Sequence, residues 1–166
     1  MFSVNDKVNY SVTGVCNIED IVLNEIGNEK KQFYVLKSIF ALNTTVMVPT
    51  DNELLVSRMR PIIAKKEAEY IIENQKNIEP IWIDDDRQRP EEFKNILIGT
   101  DRNKIFAMLK ALYIHQNIQH KKGRKLRSND ERIMYQAEKM LFGELAFVLD
   151  TTVDEISKII KQNIQY

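Results

Sequence analysis

Val4-Asn5-Asp6-Lys7-Val8-Asn9-Tyr10, followed at once by Thr13-Gly14-Val15, is the stretch on which the fold turns. Val4, Val8 and Tyr10 stand among polar neighbours at even spacing, the period of a strand with one buried face. Gly14, free of a Cβ, permits the chain to reverse there. Val15 to Leu23 resumes the strand pattern with Val15, Ile18, Ile21 and Val22. Asn24 to Lys31, polar and containing Gly27-Asn28, predicts a hairpin loop. Phe33-Tyr34-Val35-Leu36 and Thr44-Thr45-Val46-Met47-Val48 are rich in β-branched and aromatic residues, and Pro49 closes the second run. Four or five short strands in the opening third of the chain predict a small, strongly bent barrel. An edge of so small a sheet is either covered by the rest of the chain or open to a strand from a partner.

Beyond residue 60 the period becomes helical. Pro61 suits a first helical position, and Ile62, Ala64, Ala68, Ile71 and Ile72 give an apolar face reaching about Lys76. Asn77–Asp86, with Pro80 inside it, breaks the pattern. Pro90 opens a short helix through Phe93, Ile96 and Leu97 that Gly99 ends, and Asp101 caps a third with Ile105, Leu109, Leu112 and Tyr113 on one face. Ser128-Asn129-Asp130-Glu131 and Thr152-Val153-Asp154-Glu155 have capping-box spacing ahead of two further amphipathic helices. The expected class is α+β: an N-terminal SH3/Tudor-like β-barrel over residues 1–56, then an all-helical bundle over 57–166.

The 166 residues carry 24 basic and 24 acidic side chains, a formal net charge of zero. That sum conceals segregation. Residues 79–92 hold six acids and two bases, a local charge of −4, while 102–129 hold eight bases and no acid. The β half stands at −1, with four bases and five acids in the first fifty residues. One cysteine, Cys16, forms no internal disulfide, and its strand-like surroundings point to a buried thiol. No basic stretch followed by an apolar run opens the chain, and no window is apolar enough to span a bilayer, so the expected compartment is the cytoplasm.

Catalytic patterns are absent. His115 and His120, five apart, fall about 140° apart on a helix and read as surface or helix-end histidines. Asp84-Asp85-Asp86 lacks the glycine turn and downstream glutamate of a calcium loop and reads as solvated. No phosphate loop or nucleophile elbow appears, and neither enzyme activity nor a cofactor is expected. The stronger signal is Lys121-Lys122-Gly123-Arg124-Lys125-Leu126-Arg127, a basic run between two helices suited to phosphates. Trp82, the lone tryptophan, is read first as a core anchor and second as an exposed wedge against a base step. Arg87 and Arg89 offset its acidic neighbours in part.

The order and spacing of these elements resemble the CarD/CdnL family of bacterial transcription regulators across the whole chain. Val4-Asn5-Asp6-Lys7-Val8-Asn9-Tyr10 with Gly14 is similar to that family's V-G-D-x-V-x-Y-P-x-x-G opening, with Asn5 for its Gly and Ser11 for its Pro. Val46-Met47-Val48-Pro49 with Asn52, and Phe142-Gly143-Glu144-Leu145-Ala146, resemble its later motifs. The resemblance implies docking on the RNA polymerase β subunit through the sheet edge, with Asn24, Glu25, Thr45 and Met47 at the contact positions. Many members carry Arg where this chain has Met47. It further implies promoter DNA, held weakly by the free protein, at the upstream edge of the bubble. Lys121, Lys122, Arg124, Lys125, Arg127, Arg87, Arg89 and Trp82 are the residues expected to reach it. Trp82 lies about four residues before the family's wedge Trp, whose aligned position is near Asp86. Two other readings stay open: a polymerase-binding adaptor without DNA binding, and a nucleic-acid-binding domain unrelated to polymerase.

Overall fold

The computed structural model describes residues 1–41, 43–99 and 101–164, and the chain divides into two compact units, 1–62 and 63–166. In the first, β1 (Lys7–Tyr10), β2 (Gly14–Ile26), β3 (Glu29–Ser38), β4 (Thr45–Pro49) and β5 (Met59–Pro61) form one antiparallel sheet ordered β4-β3-β2-β1-β5, with a short helix α1 (Glu53–Val56) before β5. Val8, Tyr10, Cys16, Ile18, Tyr34, Leu36, Val48 and Met59 make its core. Pairing slips by one residue between Ile18 and Asp20, a bulge that sharpens the bend of β2.

Three turns explain departures from the expected pattern. Asn5 takes φ 72°, a left-handed value that Asn tolerates best after glycine, so it serves where the resembling family has Gly. Ser11 takes φ 43°, closed to a proline ring, and a 3-10 turn at Ser11–Thr13 leads to Gly14 at φ 80°. The hairpin loop is shorter than the predicted Asn24–Lys31. Ile26 pairs with Glu29, leaving Gly27-Asn28 as a two-residue turn with Gly27 at φ 65°.

Pro61 does not begin a helix. It ends β5, where it pairs with Val8, and the absent N–H costs nothing because β5 is an edge strand. The helices of the second unit are α2 (Lys65–Asn74), α3 (Arg89–Ile98), α4 (Arg102–Lys121), α5 (Ser128–Val148) and α6 (Val153–Asn163). Ala68, Phe93, Phe106, Leu109, Leu112, Ala137, Leu141, Leu145 and Ile160 lie in their shared core. Asp101 caps α4 by accepting the N–H groups of Asn103 and Lys104, and Thr152 caps α6 through the Glu155 N–H. The predicted box at Ser128 is not used as a cap. Arg127 occupies that position without a side-chain bond, and Asp130 turns inward instead. The architecture is the α+β order expected: a five-stranded sheet followed by a helical region.

Candidate functional site

In the sheet, register decides which side chains act together. Asn24 faces Lys31, Met47 faces Val35 and Thr45 faces Lys37, and these β3 positions alternate by two. Asn24, Thr45 and Met47 therefore share one face, opposite the core residues Leu36 and Tyr34. Glu25 lies on the other parity near the hairpin tip, where it ion-pairs with Lys30 at 3.7 Å. All four are exposed. β4 pairs with β3 alone among the described strands, so its outer edge presents backbone groups beside Thr45 and Met47.

In the helical unit, the segment between α2 and α3 is irregular beyond a 3-10 turn at Gln75–Asn77 but is pinned at three points. Lys110 Nζ donates to the Ile78 carbonyl at 2.8 Å, the Ile81 N–H to the Ala107 carbonyl, and Arg89 Nη1 to the Ile83 carbonyl. This holds Trp82 half-buried against the core. Its ring stacks on His115 at 4.1 Å and 21°, meets Phe93 edge-on at 6.0 Å, and has the Arg89 guanidinium 4.4 Å from its centroid. Pro80, Ala111, Ile114 and Ile118 complete an apolar hollow of about 220 Å³ beside Trp82 and His115. Burial, then the Arg89 charge, holds the His115 imidazole below its ordinary 6.5.

Arg89 departs from the expected DNA-facing set. It is buried, and Nε and Nη2 grip Asp130 at 3.1 and 2.9 Å while Nη2 also meets Asp86 at 2.7 Å. Burial opposes its charge, but the carboxylates outweigh that and hold it charged. Its fork is committed to the fold and is not available to a phosphate. Arg87, Lys121, Lys122, Arg124, Lys125 and Arg127 are exposed. Gly123 at φ 70° turns the chain out of α4, and Arg124, Lys125 and Arg127 then line a cleft of about 350 Å³ with His115, Gln119 and Asp86. Asp86 Oδ2 lies 2.5 Å from Arg127 Nη2.

A family model described as the CarD-like/TRCF RID domain matches residues 2–63, all of the sheet unit but its first residue. Those residues are similar to a CarD-like/TRCF RID domain. The RID domain of that family is an RNA polymerase-interacting module. The chain is also similar to the "Putative transcription factor YdeB" of Bacillus subtilis (strain 168), with 28% identity over 160 residues that cover 94% of this chain and 97% of the relative. That similarity extends past the residues the family model matches and into the helical unit.

The sequence reading gave three residues other roles: His115 as a surface or helix-end histidine, Asp86 in a solvated triplet, and Asp130 in a capping box. His115 carried a signal, since Ala111, His115 and Ile118 form a stripe at helical spacing. The acidic triplet is structural in two of its three members. Asp85 Oδ1 accepts the N–H groups of Arg87 and Gln88 ahead of α3, and Asp86 joins Arg89 to Arg127. Among the described residues no acidic, His or Cys cluster is arranged to hold a metal, and no helix is long and apolar enough to cross a membrane.

Proposed function

We propose that the RID domain docks on the RNA polymerase β subunit through the edge strand β4 and its adjoining face, and that the helical unit contacts promoter DNA at the upstream edge of the bubble, stabilising the open complex. The match of residues 2–63 to an RNA polymerase-interacting domain carries this reading. The open edge of β4, with Thr45 and Met47 exposed beside it and Asn24 on the same face, supports strand-edge docking. The exposed basic cleft supports phosphate contact without sequence preference. Trp82 contributes as the wall of an apolar hollow, its ring held by His115 and Arg89, and not as a freely inserted wedge. Tethering makes a weak DNA site effective, because docking converts the second contact into an intramolecular one.

The adaptor reading, polymerase binding without DNA, is favoured by one observation: a carboxylate already occupies the basic cleft at Arg127. Two measurements decide. Capture of the full chain by purified β lobe succeeds, and Thr45→Asp with Met47→Asp weakens it by at least tenfold; undiminished capture refutes the docking face. Fork-DNA binding to a polymerase complex falls when Lys121, Lys122, Arg124, Lys125 and Arg127 are all changed to Glu. Binding indifferent to those five changes leaves the adaptor.

A further inference from the structure

We infer that Asp86 is a resident competitor in the cleft, its carboxylate standing where a DNA phosphate would sit on Arg127 and yielding that place when DNA binds. The inference rests on the DNA-contacting reading above. Arg127 is two-thirds exposed, yet its Nη2 is taken by Asp86 Oδ2 at 2.5 Å. A guanidinium fork donates to a carboxylate and to a phosphate with the same geometry, so a phosphate that takes Nη2 of Arg127 must displace Asp86 from it. Asp86 is held in place from behind. Its Oδ1 lies 2.7 Å from Arg89 Nη2, and Arg89 is fixed by two bonds to buried Asp130 and one to the Ile83 carbonyl.

The mount is rigid and the rim is not, so the acid stays at the mouth of the cleft while Arg127 can swing. The hydrogen bond from Arg89, then the Arg127 charge, keeps the Asp86 carboxyl below its ordinary 3.8 despite partial desolvation, and it is ionised throughout the neutral range. Arg124 and Lys125 complete the basic lining, and each phosphate they draw in meets the same resident charge. The consequence is discrimination between two populations of DNA. Bulk duplex, met at low effective concentration, fails to displace Asp86. Duplex presented by a docked polymerase, at effective concentrations in the millimolar range, succeeds.

The test is a fork-DNA titration of the full chain by fluorescence anisotropy, over a series of salt concentrations. Asp86→Asn keeps an acceptor for Arg89, and unchanged circular dichroism and melting confirm its fold. The expected result is binding about three- to tenfold tighter than wild type, with the slope of log K against log salt steeper by about one. In an Arg127→Ala background the same substitution gains less than about twofold, because the displaced contact no longer exists. Unchanged or weaker binding by Asp86→Asn, while charge reversal of the five basic residues still abolishes wild-type binding, overturns the competitor and leaves the DNA reading standing. Wild-type binding indifferent to that charge reversal overturns the DNA reading, and the competitor falls with it.

Discussion

Removing Asp130 should cost the helical unit more than any exposed change, and Asp130→Ala tests how that unit is held together. The Arg89 and Asp130 side chains are only 3% and 2% exposed, and two charge-assisted hydrogen bonds of 3.1 and 2.9 Å join them. Each such bond is worth about 1.5–3 kcal/mol. Arg89 keeps the Ile83 carbonyl and the Asp86 carboxylate after the change, so its charge is not orphaned. That places the loss near the lower end of the ~3–5 kcal/mol seen when one partner of a buried pair is removed, at about 3 kcal/mol. Asp130 also sits in the first turn of α5, where its charge favours the helix by a few tenths more. For a unit of this size the midpoint should drop by roughly 12–24 °C. Urea unfolding followed by emission of Trp82, the only tryptophan, reports on this unit specifically because Arg89 lies against the ring. A loss below about 1 kcal/mol refutes the reasoning. So does a loss for Asp130→Asn as large as that for Asp130→Ala, since the amide oxygen can still accept one of the two Arg89 bonds.

Glu144→Ala should destabilise the same unit by about 2–4 kcal/mol in urea unfolding, because the buried carboxylate takes two bonds from Arg102 and the Ile63 N–H that begins the unit. Gly27→Val should cost the sheet unit about 1–2 kcal/mol in denaturant melts, wholly through the left-handed backbone, because no atom lies within 4 Å of the added Cβ. His115 gives stability a pH dependence whose sign follows from its lowered pKa. The unfolded chain takes up a proton near 6.5 while the folded one resists, so stability is full above 6.5 and declines as pH falls through the folded value. His115→Phe should flatten that limb in melts between about pH 5 and 7.

The strands were legible because β-branched, aromatic and other apolar residues crowd Val8–Tyr10, Val15–Ile18 and Phe33–Leu36, nearly all of them buried on both faces. The distal hairpin was not, because Asn24, Glu25, Lys30 and Lys31 pair through backbone and charge with nothing apolar to bury. Pro61 misled because a proline suits a first helical turn and an edge strand equally well. At the site, the basic run and the oddity of Trp82 were visible locally. The partners that define them were not. Arg89 meets Asp130 across 41 residues, and nothing within either neighbourhood distinguishes a buried arginine from a solvated one. Ser128 had the spacing of a cap, but the pull of Arg89 on Asp130 assigned that turn another task.

The β2–β3 ribbon has a consequence for time as well as for shape. β1 and the residues before it reach β2 only as far as Ile18, and β4 with Thr50 reaches β3 only between Gln32 and Lys37, so residues 23–31 form a two-stranded ribbon with no third strand paired to it among the described residues. Such a ribbon is marginally stable alone. Its amides should therefore exchange with deuterium through local opening, far faster than those of Ile18 or Leu36, whose protection follows unfolding of the whole sheet. A partner seated against Asn24 would slow exchange across the ribbon and leave the core rates untouched, so docking becomes visible as a change of tempo confined to that ribbon.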